Sequence, residues 1–145
     1  MWDTDELVVS FDGSCYIGSE CRKKDNCWTH TDQAPNKKGR HCIQGFVALT
    51  SNKERTLVVY EGSHLLHEKY FEENGIKSTK NWFKFDESYI ASLKSRKRVL
   101  HVPAGALVLW ESRTYHQNQY GNPGEERLVQ HKIHFIKNKK KFQFL

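Results

Sequence analysis

The sequence predicts a mainly β domain, an antiparallel barrel or jelly roll with a short helical insert. Three observations point there. The apolar runs are short and rich in β-branched and aromatic residues, turn signals separate them, and helical periodicity is confined to the middle of the chain.

Leu7 to Phe11 reads as a first strand, closed by the turn residues Asp12, Gly13 and Ser14. Cys42 to Leu49 reads as a second strand, and Arg55 to Tyr60 as a third, ending before Glu61, Gly62 and Ser63. Val99 to Val102 and Ala106 to Trp110 flank a turn at Pro103, Ala104 and Gly105. Arg127 to Ile136 alternates as a long final strand, with Leu128, Gln130, Lys132 and His134 on one face and Val129, His131, Ile133 and Phe135 on the other. Ser63 is placed to cap a helix through Leu65, Leu66, Tyr70 and Phe71 that ends near Asn74 and Gly75. Asp86 is placed to cap a shorter one through Tyr89, Ile90 and Leu93.

At 145 residues the chain is read as one domain spanning 1–145, with the barrel over about 7–136 and a basic tail at 137–145. Apolar residues make up 37% and charged residues 28%, a balance that excludes a disordered or membrane-embedded chain. The apolar stretches, such as Leu7–Val9 and Ala106–Trp110, are far shorter than the ~20 residues of a spanning helix. The N-terminus is acidic where a secretory leader is basic, so a cytoplasmic setting is expected, with no membrane partner.

Net charge is +6, concentrated in Arg22–Lys24, Lys94–Arg98 and Lys137–Lys141. None of these runs interleaves with aromatics as a single-strand nucleic-acid platform does, so a solvated basic surface is favoured over a nucleic-acid face. Cys15, Cys21, Cys27 and Cys42 include no C-x-x-C pair, and they are read as reduced thiols rather than a zinc site or a disulfide framework.

The sharpest motif is His30-Thr31-Asp32. Residues two apart on an extended segment share a face, so an imidazole and a carboxylate can approach one metal from a single piece of backbone. His116, far along the chain, is the candidate third ligand. Two histidines and one carboxylate that leave positions open suit non-haem Fe(II) and dioxygen. Arg127 follows, and its planar fork suits the far carboxylate of a keto acid. Gln44 and Arg113 are further candidate contacts to that acid. The other readings are hydrogen-bonded surface imidazoles for His30 and His116, an Asx-turn for Asp32, and a salt bridge to Glu125 or Glu126 for Arg127. His41, His101, His131 and His134 read as barrel-face residues, His64 as a loop holder, and Trp28 and Trp110 as packing around the site.

With these residues in place, WTHTDQ at 28–33, CIQGFVALT at 42–50, TLVVYEGSHLLH at 56–67, VPAGALVLWESRTYHQN at 102–118 and then Arg127 together resemble the phytanoyl-CoA dioxygenase-like family. The resemblance runs from about Leu7 to about Phe135. It implies a double-stranded β-helix, the jelly-roll or cupin-like barrel, with iron on His30, Asp32 and His116 and 2-oxoglutarate on Arg127. It also implies a dioxygenase that hydroxylates a small-molecule C–H bond with release of succinate and carbon dioxide. An aspartate at position 32 favours hydroxylation, because halogenating relatives carry a small residue there. The chain departs from the pattern in two places. It opens almost at the first barrel strand, and Lys53, Glu54 and Arg55 stand where glycines are usual. The alternatives are a non-catalytic metal-binding barrel that acts as a ligand- or partner-binding module, and a cupin-type isomerase or hydrolase, which does not call for Arg127.

Overall fold

The structure, a computed structural model, describes residues 7–9 and 13–136, with side chains over 13–131. The chain runs β1 (Leu7–Val9), β2 (Ser14–Ile17), β3 (His30–Thr31), β4 (Cys42–Ala48), β5 (Leu57–Tyr60), α1 (His67–Glu73), β6 (Phe83–Lys84), α2 (Glu87–Ser92), β7 (Lys97–Val99), β8 (Leu107–Glu111), β9 (His116–Asn118) and β10 (Arg127–Ile136). One antiparallel sheet has the order β1-β10-β4-β8, with β2 also on β10, and the other the order β6-β3-β9-β5-β7. This is the expected mainly β double-stranded β-helix. The tail at 137–145, Ser10, Phe11 and Asp12 lie outside the described residues.

Strand alternation sets two cores. Val129 of β10, Phe46 and Ala48 of β4, and Leu57 of β5 face inward and pack together with Val102. Val58 and Tyr60, the other face of β5, turn outward with Tyr115 and bury against Tyr70 and Phe71 of α1, Ile90 of α2 and Phe85. The helical insert therefore covers the back of the second sheet and leaves its front for the interior. At Gly45 a Cβ would lie 2.6 Å from both the Val108 carbonyl and Leu109 Cδ2, so only glycine lets β4 and β8 approach this closely.

Several elements differ from expectation. The strand read from Arg55 begins only at Leu57, because the fully buried Arg55 side chain turns aside into backbone carbonyls. It donates to Gly18, Ser19, Cys21 and Asn122. The strand read at Val99–Val102 is shifted to Lys97–Val99, and Val102 makes an isolated bridge to Asn52. Ser63 does not cap α1; its hydroxyl accepts the Tyr115 N–H, and a 3-10 turn at Ser63–Leu65 precedes the helix. Asp86 occupies the N-cap of α2 in extended conformation without a side-chain cap bond. His41 and His101 are exposed and lie outside the strands, whereas His131 sits on β10 with its ring 5.9 Å from Phe46. The strands β2, β3, β6 and β9 had no reading of their own, since two to four residues carry too little alternation to register.

Candidate metal centre

His30 ends up beside His116 because β3 pairs with β9 in a register that sets these two residues opposite one another. Asp32 follows directly; its N–H donates to the Ser112 carbonyl at 3.1 Å, fixing the chain as it leaves β3. The next residue, Gln33, accepts from the Ser112 hydroxyl and donates to the carbonyls of Lys37 and Gly39, and its own carbonyl accepts from His67 Nε2. This buried network holds the Asp32 turn in place.

One ligand atom from each of His30, Asp32 and His116 lies within 4.8 Å of the others. His30 Nδ1 contacts the Trp28 carbonyl at 3.2 Å, and His116 Nδ1 contacts the Thr114 carbonyl at 2.9 Å. A carbonyl can only accept, so each Nδ1 carries a proton, and in the neutral imidazole the Nε2 lone pair then faces inward. Those nitrogens lie 3.7 and 3.3 Å from the Asp32 carboxylate oxygens. A lone pair facing a carboxylate at that distance is relieved only by an extra proton or by a cation that all three groups share. The donor set fits a divalent metal, and the carbonyl partners supply the outer support that metal-ligating histidines use.

The electrostatics agree. Burial first, then the neighbouring His116, push the His30 imidazole down to about 4 despite the pull of Asp32, so it is neutral and able to ligate near neutral pH. Burial works to raise the Asp32 carboxyl, but His116, His30 and the Gln44 amide outweigh it and hold the group below the usual aspartate value. Trp28 stacks on the His30 ring at 4.9 Å and donates its indole N–H to the Asn118 carbonyl.

The remaining predicted residues divide. Gln44, inward on β4, donates to Asp32 Oδ2 at 2.7 Å and accepts from the Trp110 indole at 2.9 Å. It braces the carboxylate. Arg113 pairs with Glu111 and, at 3.1 Å, with Glu68, so its charge is already matched. Arg127 is fully buried, with its guanidinium 5.5 Å from the Phe46 ring. Phe46 touches Trp110, and Trp110 touches His116, so inward-facing rings connect Arg127 to the histidines. Arg127 makes no ion pair among the described residues, and its Nη2 is buried without a hydrogen-bond partner. Sequence reasoning missed Asn52 and Asn118, whose side-chain oxygens hold this guanidinium; only cross-strand pairing reveals them.

Fold and constellation together define the class: a double-stranded β-helix with two histidines and a carboxylate gathered between its sheets. The chain is 32% identical over 148 residues to the Ava biosynthesis cluster protein O of Aspergillus versicolor, which covers 90% of this chain and 47% of that protein. It thus spans about half the length of this curated relative. In structure it is similar to HygX from Streptomyces hygroscopicus with nickel and 2-oxoglutarate bound, at a TM-score of 0.51 and 13% identity, over 84% of this chain and 53% of that one. The iron-bound form of HygX matches with a TM-score of 0.51 at 12% identity, over 84% of this chain and 55% of that one. No protein-family model matches the chain. Among the described residues no helix is long and apolar enough to cross a membrane.

Proposed function

We propose that this chain is an Fe(II)- and 2-oxoglutarate-dependent dioxygenase domain that hydroxylates a C–H bond of a small-molecule substrate. The observation that carries the reading is the convergence of His30, Asp32 and His116, with both Nδ1 atoms tied to backbone carbonyls. When bound, iron and 2-oxoglutarate supply the oxidising chemistry, consuming dioxygen and releasing succinate and carbon dioxide.

The chain's own residues divide the remaining work. His30, Asp32 and His116 would hold the metal. Gln44 fixes the rotation of the Asp32 carboxylate, and Trp110 in turn fixes Gln44. Arg127, whose Nη2 has no partner, would receive the far carboxylate of 2-oxoglutarate. The apolar rings of Phe46, Trp110 and Trp28 restrict water around the site, which strengthens each of these electrostatic contacts. The motifs from 28 to 127 favour the phytanoyl-CoA dioxygenase-like group within this class. The proposed unit is a single domain over 1–145, with its barrel at about 7–136.

The test is direct. Protein purified without oxygen receives Fe(II) and 2-oxoglutarate, and the visible charge-transfer band and succinate release on admitting oxygen are measured. The expected result is the band, with slow succinate formation even without substrate. A band with no succinate under any condition supports instead the metal-binding barrel that acts as a ligand-binding module. No metal uptake at all sinks both readings.

A further inference from the structure

Arg127 and Arg113 are both largely buried, yet the protein treats their charges in opposite ways. Arg113 is matched by two carboxylates, those of Glu111 and Glu68. Among the described residues no carboxylate lies in hydrogen-bond contact with Arg127, whose partners are two asparagine oxygens and a cysteine sulfur. Its Nε donates to Asn52 Oδ1 at 2.7 Å, and its Nη1 donates to Asn118 Oδ1 at 2.9 Å and to Cys15 Sγ at 3.7 Å. Glu125, close in sequence, is engaged elsewhere and accepts the N–H groups of Lys53 and Glu54. The Asn52 amide is oriented by its own donation to the Thr50 carbonyl at 2.6 Å, so its oxygen is the atom that meets the guanidinium.

A buried guanidinium ordinarily needs a carboxylate, because desolvating an uncompensated charge is expensive. Two amide oxygens satisfy N–H directions and lock the plane of the fork, but they cancel no charge. The result is a rigid guanidinium with no described carboxylate in contact and Nη2 unpartnered, while burial works against its charge.

We propose that Asn52 and Asn118 are positioning residues that determine co-substrate specificity: by holding Arg127 without neutralising it, they make the site select a keto acid with a second, distal carboxylate over one without. This rests on the reading of Arg127 as the 2-oxoglutarate anchor. The choice of amide over carboxylate is the working element. An aspartate at either position has nearly the same shape and still accepts the hydrogen bond from Arg127, although at 52 it loses the donation to the Thr50 carbonyl, and it supplies the negative charge that the ligand otherwise brings.

The experiment uses the full chain with Fe(II) in the absence of oxygen. It titrates 2-oxoglutarate and, separately, pyruvate, which lacks the distal carboxylate, into parent protein, Asn118→Asp, Asn52→Asp and Arg127→Leu. For Asn118→Asp the 2-oxoglutarate dissociation constant should rise about 10- to 100-fold, the scale of one lost charge-assisted contact. Pyruvate and Fe(II) affinities should stay at the parent values, so the preference for the dicarboxylate collapses. A merely structural role for the amide would weaken both keto acids together. Asn52→Asp introduces the same charge from the other side of the fork, so it stands in if Asn118→Asp does not fold. If Arg127→Leu weakens 2-oxoglutarate while both aspartate variants bind it like the parent, the inference is overturned and the anchor stands. If Arg127→Leu binds 2-oxoglutarate like the parent, the anchor falls and the inference goes with it.

Discussion

His30 and His116 face one another directly across the β3–β9 ladder, with ring centroids 4.4 Å apart. The same ladder delivers both Nε2 atoms to Asp32, and each imidazole is keyed by the carbonyl two residues before it. The first prediction follows from that symmetry. His30→Ala and His116→Ala should each reduce Fe(II) affinity by more than the roughly 10–100-fold typical of losing an outer partner, with far-UV circular dichroism unchanged. Iron stoichiometry after desalting is the measurement. Parent-like iron content in either variant removes that histidine from the ligand set.

Gln44 provides the second. Its amide is the link between Trp110 and Asp32, so Gln44→Leu frees the carboxylate to rotate and leaves the Trp110 indole N–H unpaired. Iron affinity should fall about 10–100-fold, the usual effect of an outer-shell loss. Competition with a chelator of known strength reads this, and an unchanged affinity denies Gln44 any part in holding Asp32.

Arg127 gives the third. Arg127→Lys keeps a charge but loses the planar fork that meets Asn52 and Asn118. The 2-oxoglutarate dissociation constant should rise by one to two decades, from a loss of about 1.5–3 kcal/mol. Iron binding should hardly move. Equal loss of iron and keto acid would mean that the substitution disturbs the barrel as a whole.

Gly45 gives a test of the fold that touches no chemistry. Gly45→Ala brings a methyl to 2.6 Å from the Val108 carbonyl, which belongs to paired backbone and cannot swing away. The cost should be about 1–3 kcal/mol of stability, read from urea midpoints at constant slope. A neutral result would show that β4 and β8 can separate without penalty.

Cys42 supplies the pH dependence. Burial pushes its thiol up to about 11, against an unfolded value near 9.0. The folded state therefore holds the proton more tightly, and its contribution is complete below pH 9 and lost as pH rises through about 11. That contribution is of order 3 kcal/mol. The stability of parent protein should fall more steeply across this window than that of Cys42→Ala. In the native protein at pH 8, Cys42 should also be the last of the four thiols alkylated. Rapid labelling there would show that the site opens readily.

Much of the architecture was legible because strand alternation is local. Cys42 to Ala48 and Arg127 to Ile136 could be placed, and the two faces of β10 separated, from the residues alone. The pairing of His30 with Asp32 on one face followed from backbone periodicity in the same way. What only the tertiary structure decided is who meets whom. Asn52 reaches Arg127 across 75 positions of sequence, and Trp110 reaches Gln44 across 66. Glu68 joins Arg113 from a helix on the other side of the chain's midpoint. No pattern within a single segment encodes these meetings. They depend on the register between distant strands, and a shift of one residue there turns every side chain to the opposite face. The sequence therefore determined which residues could carry chemistry, whereas cross-strand register decided that Gln44 braces a carboxylate, that Arg113 meets two carboxylates, and that no described carboxylate contacts Arg127.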